Sequence, residues 1–311
     1  MRTVIVGPGA IGCLFAALLT EAGWDVVLLD RDPARARRLC DAGIRVDDPA
    51  GSRTVRVPAV ASTGGVRTPD AVCICVKSYD TAAAVRSTRP LLGPHTFLAS
   101  LQNGLGHAEI LAAAAGPGRT VCAATSHGAT SLGAGHVRHA GTGPTTVAPF
   151  DRQQPEPARR FARALDRAGI AASFLEDADG MLWSKLIVNA AVNPVTALWD
   201  VPNGAILERP ELQDTALAAA AEAEQVARAR GVRLLYEHAA QAVTDVCTAT
   251  RDNLSSMLQD LRAGRRTEVG AITGAVVDEA RRLDVPAPIN RRLLSRVRER
   301  EAADRSRHNG V

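Results

Sequence analysis

The chain opens with a short β-branched run that leads directly into a glycine-rich turn, and this arrangement restricts the possible folds more than any other feature. Residues 2–6 read RTVIV, residues 7–12 read GPGAIG, and the helical pattern CLFAALLTEAG follows. A second apolar run, DVVLLD, begins at Asp25. A strand, a tight turn, a helix and another strand in this order predict a parallel α/β domain of the Rossmann type.

The glycine turn itself predicts a dinucleotide-binding site. In a G-x-G-x-x-G pattern the first glycine permits the turn, the second lets the backbone approach a pyrophosphate, and the third lets the helix pack closely on the strand. The start of the helix also offers unpaired N–H groups and the positive end of its dipole to the phosphates. We therefore assign a cofactor-binding role to the residues of the turn, Gly7, Pro8, Gly9, Ala10, Ile11 and Gly12.

Two neighbouring residues at the end of the second strand give opposite indications about the cofactor. An acidic residue here, such as Asp30, usually accepts hydrogen bonds from the ribose hydroxyls of NAD, whereas a nearby arginine, such as Arg31, favours the 2′-phosphate of NADP. An exposed turn residue is the alternative interpretation of Arg31. From the residues alone, the choice between NADPH and NADH stays open.

The alternation of strands and helices continues and brings two more polar residues to strand ends. The runs DAVCICVK and HTFLASLQNG end at or near Lys77 and Asn103, and parallel sheets bind ligands beyond the carboxyl ends of their strands. A strand-terminal lysine in water and an ordinary Asn-Gly turn are the alternatives. Both residues are candidates for contacts with a ligand.

The segment after Val121 is rich in glycine, threonine and histidine. It predicts short antiparallel strands with tight turns, before a helix that begins near Glu156. Three histidines, His127, His136 and His139, lie in this segment, but no acidic or cysteine partner stands at ligand spacing. We therefore expect no metal site.

The length and pattern of the chain predict two domains. We expect a dinucleotide-binding Rossmann-type domain over residues 1–176 and a helical substrate domain over residues 177–311. A chain of 311 residues, 46% of them hydrophobic, is long enough for two cores. In the second domain we expect the helices to be interrupted at residues 193–210, NPVTALWDVPNGAILERP, and at the turn from Asp284 to Pro288. The cleft between the domains is the expected substrate site.

An apolar helical segment, KLIVNAAVNP at residues 185–194, carries three polar residues spaced four apart. Because a helix turns about 100° per residue, Lys185, Asn189 and Asn193 drift by only about 40° per step and form one stripe. A solvent face is the alternative. Surface segments such as RRFARALDRAG use arginine and aspartate instead, and asparagine is a poor helix former. We favour a polar stripe directed into the cleft.

A second polar cluster lies in the segment NLSSMLQDLRAGRRTEVGAITGAVV. Its members Ser255, Ser256 and Glu268 are expected on helical turns on either side of a break at Gly264. The alternatives are a helix N-cap, with Gln259 completing a capping box for Ser256, and a surface charge for Glu268.

These residues suit the reduction of a carbonyl group by a nicotinamide enzyme. Such an enzyme needs a positioned hydride donor, an acid for the emerging alkoxide and donors that hold the substrate. Lys185 is the best candidate for the acid, because partial burial lowers the pKa of a lysine towards the working pH. Asn103 could donate to the carbonyl oxygen, and Asn189 and Asn193 could bind substrate hydroxyl groups.

Composition excludes several other classes of protein. The net charge of +4 is mild, and basic and acidic residues are interleaved, so we expect no nucleic-acid partner. We find no uninterrupted apolar stretch of about 20 residues and no cleavable signal pattern, so we expect no membrane span and no secretion. The six cysteines show no metal-ligand or redox spacing and are expected to be buried free thiols in a reducing compartment. We therefore expect a cytoplasmic protein.

Seven motifs in order resemble the ketopantoate reductase (2-dehydropantoate 2-reductase) family. They are GPGAIG, CVKSYDT, QNGLG, TSHGATSLGAGHVRHAGTGPT, WSKLIVNAAVNPVTAL, SSMLQDLRAGRRTEV and VPAPIN. The resemblance implies an α/β Rossmann-type N-terminal domain with an all-α C-terminal domain. It also implies NADPH-dependent reduction of ketopantoate to (R)-pantoate in pantothenate and coenzyme A biosynthesis.

The resemblance further implies roles for individual residues. Lys185 matches the family's catalytic lysine, and Glu268 matches the glutamate that contacts the reacting oxygen. The matching substrate-binding residues are Asn103, Asn189, Asn193, Asn203 and Ser256, with Ser256 near the substrate carboxylate. The cofactor-binding residues are those from Gly7 to Gly12 together with Arg31, Lys77 and Asn103, and Arg31 stands at the position that meets the 2′-phosphate.

Several positions depart from the family pattern. Asp30 precedes Arg31 and leaves NADH possible, Gly270 and Thr273 replace an aspartate and an asparagine, and His107 stands where asparagine is usual. These changes leave room for a reductase of the same fold that acts on a different 2-oxo acid. A regulator that binds dinucleotide without turnover would be expected to lose the acid at position 185. We expect a small 2-oxo acid as the partner molecule, with a homodimer as a further possibility.

Overall fold

The computed structural model describes the backbone of residues 1–309 and the side chains of residues 1–304. The chain divides into two units. Unit 1 contains Met1–Gln102 and Gly106–Ala178, and unit 2 contains Asn103–Leu105 and the described residues from Asp179 onwards. The short segment Asn103–Leu105 therefore folds with unit 2, although the residues on either side of it belong to unit 1.

Strands and helices alternate through unit 1, whereas unit 2 is helical. The strands are β1 (Arg2–Val6), β2 (Asp25–Leu29), β3 (Ile44–Asp48), β4 (Gly51–Val55), β5 (Ala59–Val60), β6 (Ala71–Ile74), β7 (Phe97–Ser100), β8 (Thr120–Thr125), β9 (Gly128–Gly133), β10 (His136–Gly141), β11 (Thr145–Pro149) and β12 (Ala172–Phe174). The helices are α1 (Ala10–Glu21), α2 (Pro33–Ala42), α3 (Thr81–Thr88), α4 (His107–Ala115), α5 (Glu156–Arg167), α6 (Ala178–Trp199), α7 (Ala205–Glu208), α8 (Pro210–Ala229), α9 (Ala239–Ala249), α10 (Ser256–Arg262), α11 (Ala275–Arg282) and α12 (Pro288–Asn309).

The main sheet of unit 1 has the strand order β12-β11-β8-β7-β6-β1-β2-β5. Its neighbouring strands are parallel except for the pair β8 and β11, which is antiparallel. Side chains alternate between the two faces of a strand, so Ile5 enters one hydrophobic cluster with α1 residues while Val4 and Val6 enter another. This double burial is typical of a parallel sheet covered on both faces, and it confirms the predicted α/β architecture.

A second, four-stranded sheet in unit 1 has the order β4-β3-β10-β9. The prediction of short antiparallel strands after Val121 is confirmed for the pairs β9–β10 and β8–β11. The parallel pairing of β10 with β3, in which Val137 lies opposite Val46, was not predicted. It joins segments that are distant in sequence, and a local pattern carries no information about such pairings.

Helix α6 is longer than the sequence pattern predicted. We expected an interruption at residues 193–210, but α6 continues through Pro194 to Trp199, and only residues 200–204 and Arg209, on either side of the short helix α7, are not helical. Proline normally disfavours a helix interior because it lacks an N–H donor. Here Val192, Val195 and Ala197 around the proline are buried in the core of unit 2, and this packing outweighs the local penalty.

The segment around Gly264 also differs from the prediction. Ser255 is the N-cap of α10, and its Oγ accepts a hydrogen bond from the Leu258 N–H. The predicted capping box is wrong, because the Gln259 side chain donates to the carbonyl of Leu254 instead. Glu268 lies in a bend rather than on a helical turn, and a π-helical turn, Gly270–Gly274, follows it.

The structure allows two expectations to be checked, that the cysteines are buried free thiols and that no helix spans a membrane. All six cysteines are free thiols. Four of them are buried, but Cys40 is exposed and Cys75 is partly buried, which corrects the prediction that all would be buried. Cys40 lies on the solvent side of α2, two residues from its end. Among the helices that the structure describes, none is both long and apolar enough to cross a membrane.

Candidate active site

The predicted polar stripe lies along the most buried helix of unit 2. Lys185 and Asn189 are partly buried on α6, and Asn193 is only 6% exposed. Within residues 1–304, the side-chain amides of both asparagines lack a hydrogen bond to another protein group. The Asn193 side chain is thus shielded from most of the solvent, unlike a residue on an ordinary solvent face. Binding of a ligand by the stripe stays a prediction.

Lys185 has an unusual electrostatic environment. Burial lowers its pKa from the ordinary 10.5 to about 8, and the nearby carboxylate of Glu268 opposes this shift by favouring the charged form. Glu268 is itself 7% exposed, so it is not the surface charge that the sequence left as an alternative. A lysine with a pKa of about 8 can give up a proton near neutral pH much more readily than an ordinary lysine.

The loop that carries Asn103 is attached to the turn that follows Glu268. The Leu105 N–H donates to the carbonyl of Ala271 at 3.0 Å, and the Ala271 N–H donates to the carbonyl of Glu268 at 3.0 Å. Gly104 has a φ of +86°, and a Cβ at this position would lie 2.5 Å from the Ala271 carbonyl oxygen. Only glycine fits this close approach without a shift. The backbone therefore holds Asn103 and Glu268 in a fixed arrangement within unit 2.

A buried pair of hydroxyl groups connects α6 with α10. The hydroxyl oxygens of Thr196 and Ser255 share a hydrogen bond at 2.8 Å, and Thr196 is fully buried. Thr196 Oγ1 also lies within hydrogen-bonding distance of the Asn193 carbonyl, at 3.1 Å. Ser256, the first residue of α10, follows directly. The connection thus joins the Asn193 end of the stripe to the predicted carboxylate-binding serine.

Asn203 is built into the protein differently from the other predicted substrate residues. Its Nδ2 donates to Thr250 Oγ1 at 2.9 Å, and its backbone N–H donates to the Asn253 carbonyl at 3.0 Å. Its Oδ1 is buried without a hydrogen-bond partner in the described chain. The Asn203 side chain is therefore held by the protein through Thr250, and its role as a substrate contact stays a prediction.

The glycine turn in unit 1 has the geometry that a pyrophosphate requires. Helix α1 begins after Gly9 without a side-chain cap, so the first N–H groups of this twelve-residue helix are available to an anion. A Cβ on Gly9 would point into open space, whereas one on Gly12 would collide with the Gly7 carbonyl oxygen. The residues present therefore fit a dinucleotide.

The two charged residues after β2 have different partners. Asp30 is 2% exposed, and its carboxylate accepts hydrogen bonds from both Nε and Nη2 of Arg35 and from the Asp32 N–H at 3.1 Å. Arg31 is 77% exposed and forms a 3.0 Å ion pair with Asp80. Lys77 is partly buried and lies immediately before the 3₁₀ turn that ends at Asp80. Arg31 and Lys77 thus belong to neighbouring segments of the same unit.

The histidine-rich segment does not form a metal centre in the part of the chain with described side chains. No group of three or more histidine, cysteine, aspartate and glutamate side chains is arranged to hold a metal ion there. His127 Nδ1 and His139 Nε2 hydrogen-bond to each other at 2.9 Å, and His136 hydrogen-bonds to Asp47 at 2.6 Å.

Three residues with supporting roles were missed by the sequence analysis. Arg35 and Asp80 engage the charged groups after β2, and Thr196 forms the hydroxyl connection with Ser255, which the sequence analysis had named. Arg35 stands five residues after Asp30 and Thr196 stands one helical turn after Asn193, so spacing could have suggested these two. The pairing of Arg31 with Asp80 spans 49 residues and left no local signal.

Comparisons with known proteins show which family the chain is similar to. The family models described as "Ketopantoate reductase PanE/ApbA" and "Ketopantoate reductase PanE/ApbA C terminal" match residues 3–152 and 177–301. A 2-dehydropantoate 2-reductase from Halobacterium salinarum is 37% identical over 300 residues, which cover 96% of this chain and 98% of that protein. One from Archaeoglobus fulgidus is 36% identical, with 96% and 97% covered.

A solved structure supports the same assignment. The PanE/ApbA family ketopantoate reductase from Ralstonia eutropha superimposes with a TM-score of 0.87 at 30% identity, covering 98% of this chain and 99% of that chain. These matches confirm the resemblance drawn from the seven sequence motifs, and they extend over both the parallel-sheet and the helical parts of the molecule. The chain therefore belongs to the ketopantoate reductase family.

Proposed function

We propose that the protein is an NADPH-dependent oxidoreductase that reduces 2-dehydropantoate (ketopantoate) to (R)-pantoate in pantothenate and coenzyme A biosynthesis. The observation that carries the proposal is Lys185, a partly buried lysine whose pKa is lowered to about 8 beside Glu268. Membership in the family supplies the substrate, since the relative from Halobacterium salinarum is named for this reaction.

Lys185 acts as the general acid in this proposal. A nicotinamide cofactor held by the glycine turn from Gly7 to Gly12 would supply the hydride that reaches the carbonyl carbon of the substrate. Negative charge develops on the carbonyl oxygen, and Lys185 Nζ donates a proton to it, so that the ketone becomes a hydroxyl group. Because the pKa of Lys185 is about 8, the side chain is largely protonated at neutral pH. It regains its proton from solvent after each turnover.

Glu268 has two roles in the proposal. Its carboxylate raises the pKa of Lys185 against the effect of burial, which preserves the acid form near neutral pH. A carboxylate can also accept a hydrogen bond from the hydroxyl group that forms on the substrate. The carbonyl of Glu268 accepts hydrogen bonds from the N–H groups of Ala271 and Ile272 at 3.0 Å, and this support fixes its backbone.

The remaining polar residues orient the substrate. Asn103 donates an amide hydrogen bond to the reacting carbonyl oxygen, and Asn189 and Asn193 bind the hydroxyl end of the substrate. Ser256 binds the carboxylate, and Asn203 is a further substrate contact in this proposal. An acid alone would polarise many carbonyl compounds, so these contacts are what restrict the reaction to a hydroxylated 2-oxo acid.

The contacts of Asp30 support NADPH as the cofactor. The carboxylate that could accept ribose hydroxyl groups is buried and already hydrogen-bonded to Arg35 and to the backbone of Asp32. Arg31 is exposed and able to reach a phosphate, and Lys77 contributes a second positive charge. The glycine turn from Gly7 to Gly12 holds the pyrophosphate in this proposal.

A nicotinamide absorbance assay tests the proposal. The purified protein is mixed with ketopantoate and either NADPH or NADH, and the loss of absorbance is followed, with Lys185→Ala as the control for contaminating reductases. Turnover with NADPH that is lost in the variant supports the proposal. The absence of turnover with either cofactor would contradict it.

A second candidate function is reduction of a different 2-oxo acid by the same residues. It is favoured by Thr273, which stands where the family pattern has asparagine and whose buried hydroxyl lacks a hydrogen-bond partner among described residues. Tight NADPH binding without ketopantoate turnover would favour this alternative, and a panel of 2-oxo acids would then identify the substrate.

The proposal also covers domain boundaries, location and assembly. It includes a division into domains at residues 1–176 and 177–311, a cytoplasmic location, and assembly into a homodimer. The six free cysteines support a reducing compartment. Limited proteolysis tests the division, and sedimentation of the purified protein tests the assembly.

A further inference from the structure

The ion pair between Arg31 and Asp80 joins an exposed arginine to a residue of a hydrogen-bonded turn. Asp80 ends a 3₁₀ turn in which its N–H donates to the Lys77 carbonyl at 2.8 Å. The buried side chain of Gln102 fastens this turn, because its Nε2 lies 2.8 Å from both the Val76 carbonyl and Thr81 Oγ1. Arg31, by contrast, is 77% exposed. Hydrogen bonds therefore hold the chain on both sides of Asp80, whereas the Arg31 side chain is mostly exposed to solvent.

The carboxylate of Asp80 is bound to the Arg31 guanidinium, the group that would bind a 2′-phosphate. Its Oδ1 lies 3.0 Å from Arg31 Nη1, so it neutralises much of the guanidinium charge. A phosphate that approaches Arg31 must displace this carboxylate or share the arginine with it, and the two anions repel each other. A ribose without the phosphate makes no such demand on Arg31.

Asp30 does not compete with a phosphate for Arg31. Although it precedes Arg31 in the sequence, its carboxylate is 2% exposed and is neutralised by Arg35. The acidic group that faces Arg31 is the one 49 residues away.

We propose that Asp80 is a specificity-determining residue, which holds the Arg31 guanidinium and thereby limits the preference for a 2′-phosphorylated dinucleotide over an unphosphorylated one. The inference rests on the proposed function, in which Arg31 meets the 2′-phosphate of NADPH. It goes further by assigning the limit on selectivity to Asp80 rather than to Asp30.

Equilibrium binding of the two cofactors to the full-length protein tests this inference. Dissociation constants for NADPH and NADH are measured by titration calorimetry for the wild type, Asp80→Asn and Asp80→Glu. We expect Asp80→Asn to bind NADPH about 3- to 10-fold more tightly, because an exposed ion pair and a like-charge repulsion are both removed. Binding of NADH should change by less than about 2-fold, and Asp80→Glu, which keeps the charge, should resemble the wild type.

A matched control separates this effect from a general change in charge. Glu176→Gln removes the acid of another arginine pair in unit 1, that between Arg159 and Glu176 at 2.9 Å. It should leave both dissociation constants unchanged. A high salt concentration should reduce the gain of Asp80→Asn, since exposed charges are screened.

A double-mutant cycle completes the test. In an Arg31→Ala background, Asp80→Asn should improve NADPH binding less than it does in the wild type, because the ion pair is already absent and only the like-charge repulsion is removed. An unchanged ratio of the two constants in Asp80→Asn would overturn the inference, as would weaker NADH binding without any gain for NADPH. If Arg31→Ala alone leaves NADPH binding unaffected, the cofactor assignment of the proposed function fails first, and the inference fails with it.

Discussion

Helices α5 and α6 both carry regularly spaced polar residues, but the two helices use them in opposite ways. On α5 the apolar residues, Phe161 and Leu165 among them, form one buried face, while long charged side chains such as Arg163 are exposed. Helix α6 is buried on nearly all sides, and Asn193 on its polar stripe is 6% exposed.

This difference shows which polar residues indicate a binding site. An exposed arginine keeps its hydrogen bonds to water, so it lowers the stability of the fold very little. An amide that is removed from water lowers the stability unless it gains a hydrogen bond in return. Arginine and aspartate at helical spacing therefore indicate a solvent face. Short amides and a single lysine at the same spacing, as at Lys185 and Asn189, predict a surface that binds a ligand, and the variants below test this prediction.

Removal of one positive charge from each helix should give the largest difference between them. We expect Lys185→Ala to lower kcat with ketopantoate by at least about 100-fold, the lower end for loss of a general acid. Arg163→Ala on α5 removes an equally positive but exposed side chain and should leave kcat unchanged. Steady-state kinetics with NADPH measures both, and calorimetry should show that Lys185→Ala still binds the cofactor.

A rate for Lys185→Ala within about 3-fold of the wild type would contradict the assigned role, since such a change is far below the usual contribution of an acid. An equal fall in kcat for Lys185→Ala and Arg163→Ala would show instead that the buried and the exposed side chain contribute equally to the reaction.

The pH dependence of kcat distinguishes the partly buried Lys185 from an ordinary exposed lysine. Lys185 must be protonated to act as an acid, and its pKa is about 8. We therefore expect kcat to be constant below that pH and to fall about 10-fold for each unit above it. An ordinary exposed lysine would give no such fall until its pKa near 10.5.

Glu268→Gln provides the control for this profile. Because the Glu268 carboxylate raises the pKa of Lys185, its neutralisation should lower that pKa and move the fall in kcat to a lower pH. A profile that stays in place, or moves to a higher pH, would show that Glu268 does not act on Lys185.

Much of the fold could be predicted from local patterns. The glycine turn placed the first strand and helix, and buried apolar runs marked β6 and β7. The continuation of α6 through Pro194 and the pairing of β10 with β3 could not be predicted. The first depends on tertiary packing that outweighs a local preference, and the second depends on contacts between distant segments.

The candidate site shows the same division. The spacing of Lys185, Asn189 and Asn193 was sufficient to predict that they share a stripe, because helix geometry fixes it. The burial of Glu268 was not predictable from its neighbours, since it lies in a bend before a π-helical turn. The same holds for Asp80, whose partner is 49 residues away.

Replacing the buried asparagine of the stripe gives a smaller expected effect. We expect Asn193→Ala to raise the KM for ketopantoate about 10-fold, which corresponds to one hydrogen bond lost in a buried site. The melting temperature should not fall, because alanine is the better helix former and the amide has no protein partner to lose. Arg160→Ala on α5, where the side chain is exposed, should leave KM unchanged. A fall in melting temperature without a change in KM would assign Asn193 to the core.

The smallest expected effect concerns Thr196, which lies on α6 one turn after Asn193, the last residue of the polar stripe. Thr196→Val keeps the shape of the side chain but removes the hydroxyl group that hydrogen-bonds to Ser255 at 2.8 Å. We expect the KM for ketopantoate to rise about 3- to 5-fold with kcat nearly unchanged, because loss of one hydrogen bond of this kind costs about 1 kcal/mol.

Thr196→Ser decides whether this effect comes from the hydroxyl group. The serine keeps the hydrogen bond to Ser255 and loses only a methyl group, so it should restore the KM even if it lowers the melting temperature slightly. The connection orients the backbone from which Ser256 emerges, and it therefore acts on substrate binding rather than on proton transfer. A rise in KM for both variants, or a fall in stability with no change in KM for either, would mean that Thr196 serves only the packing of α6.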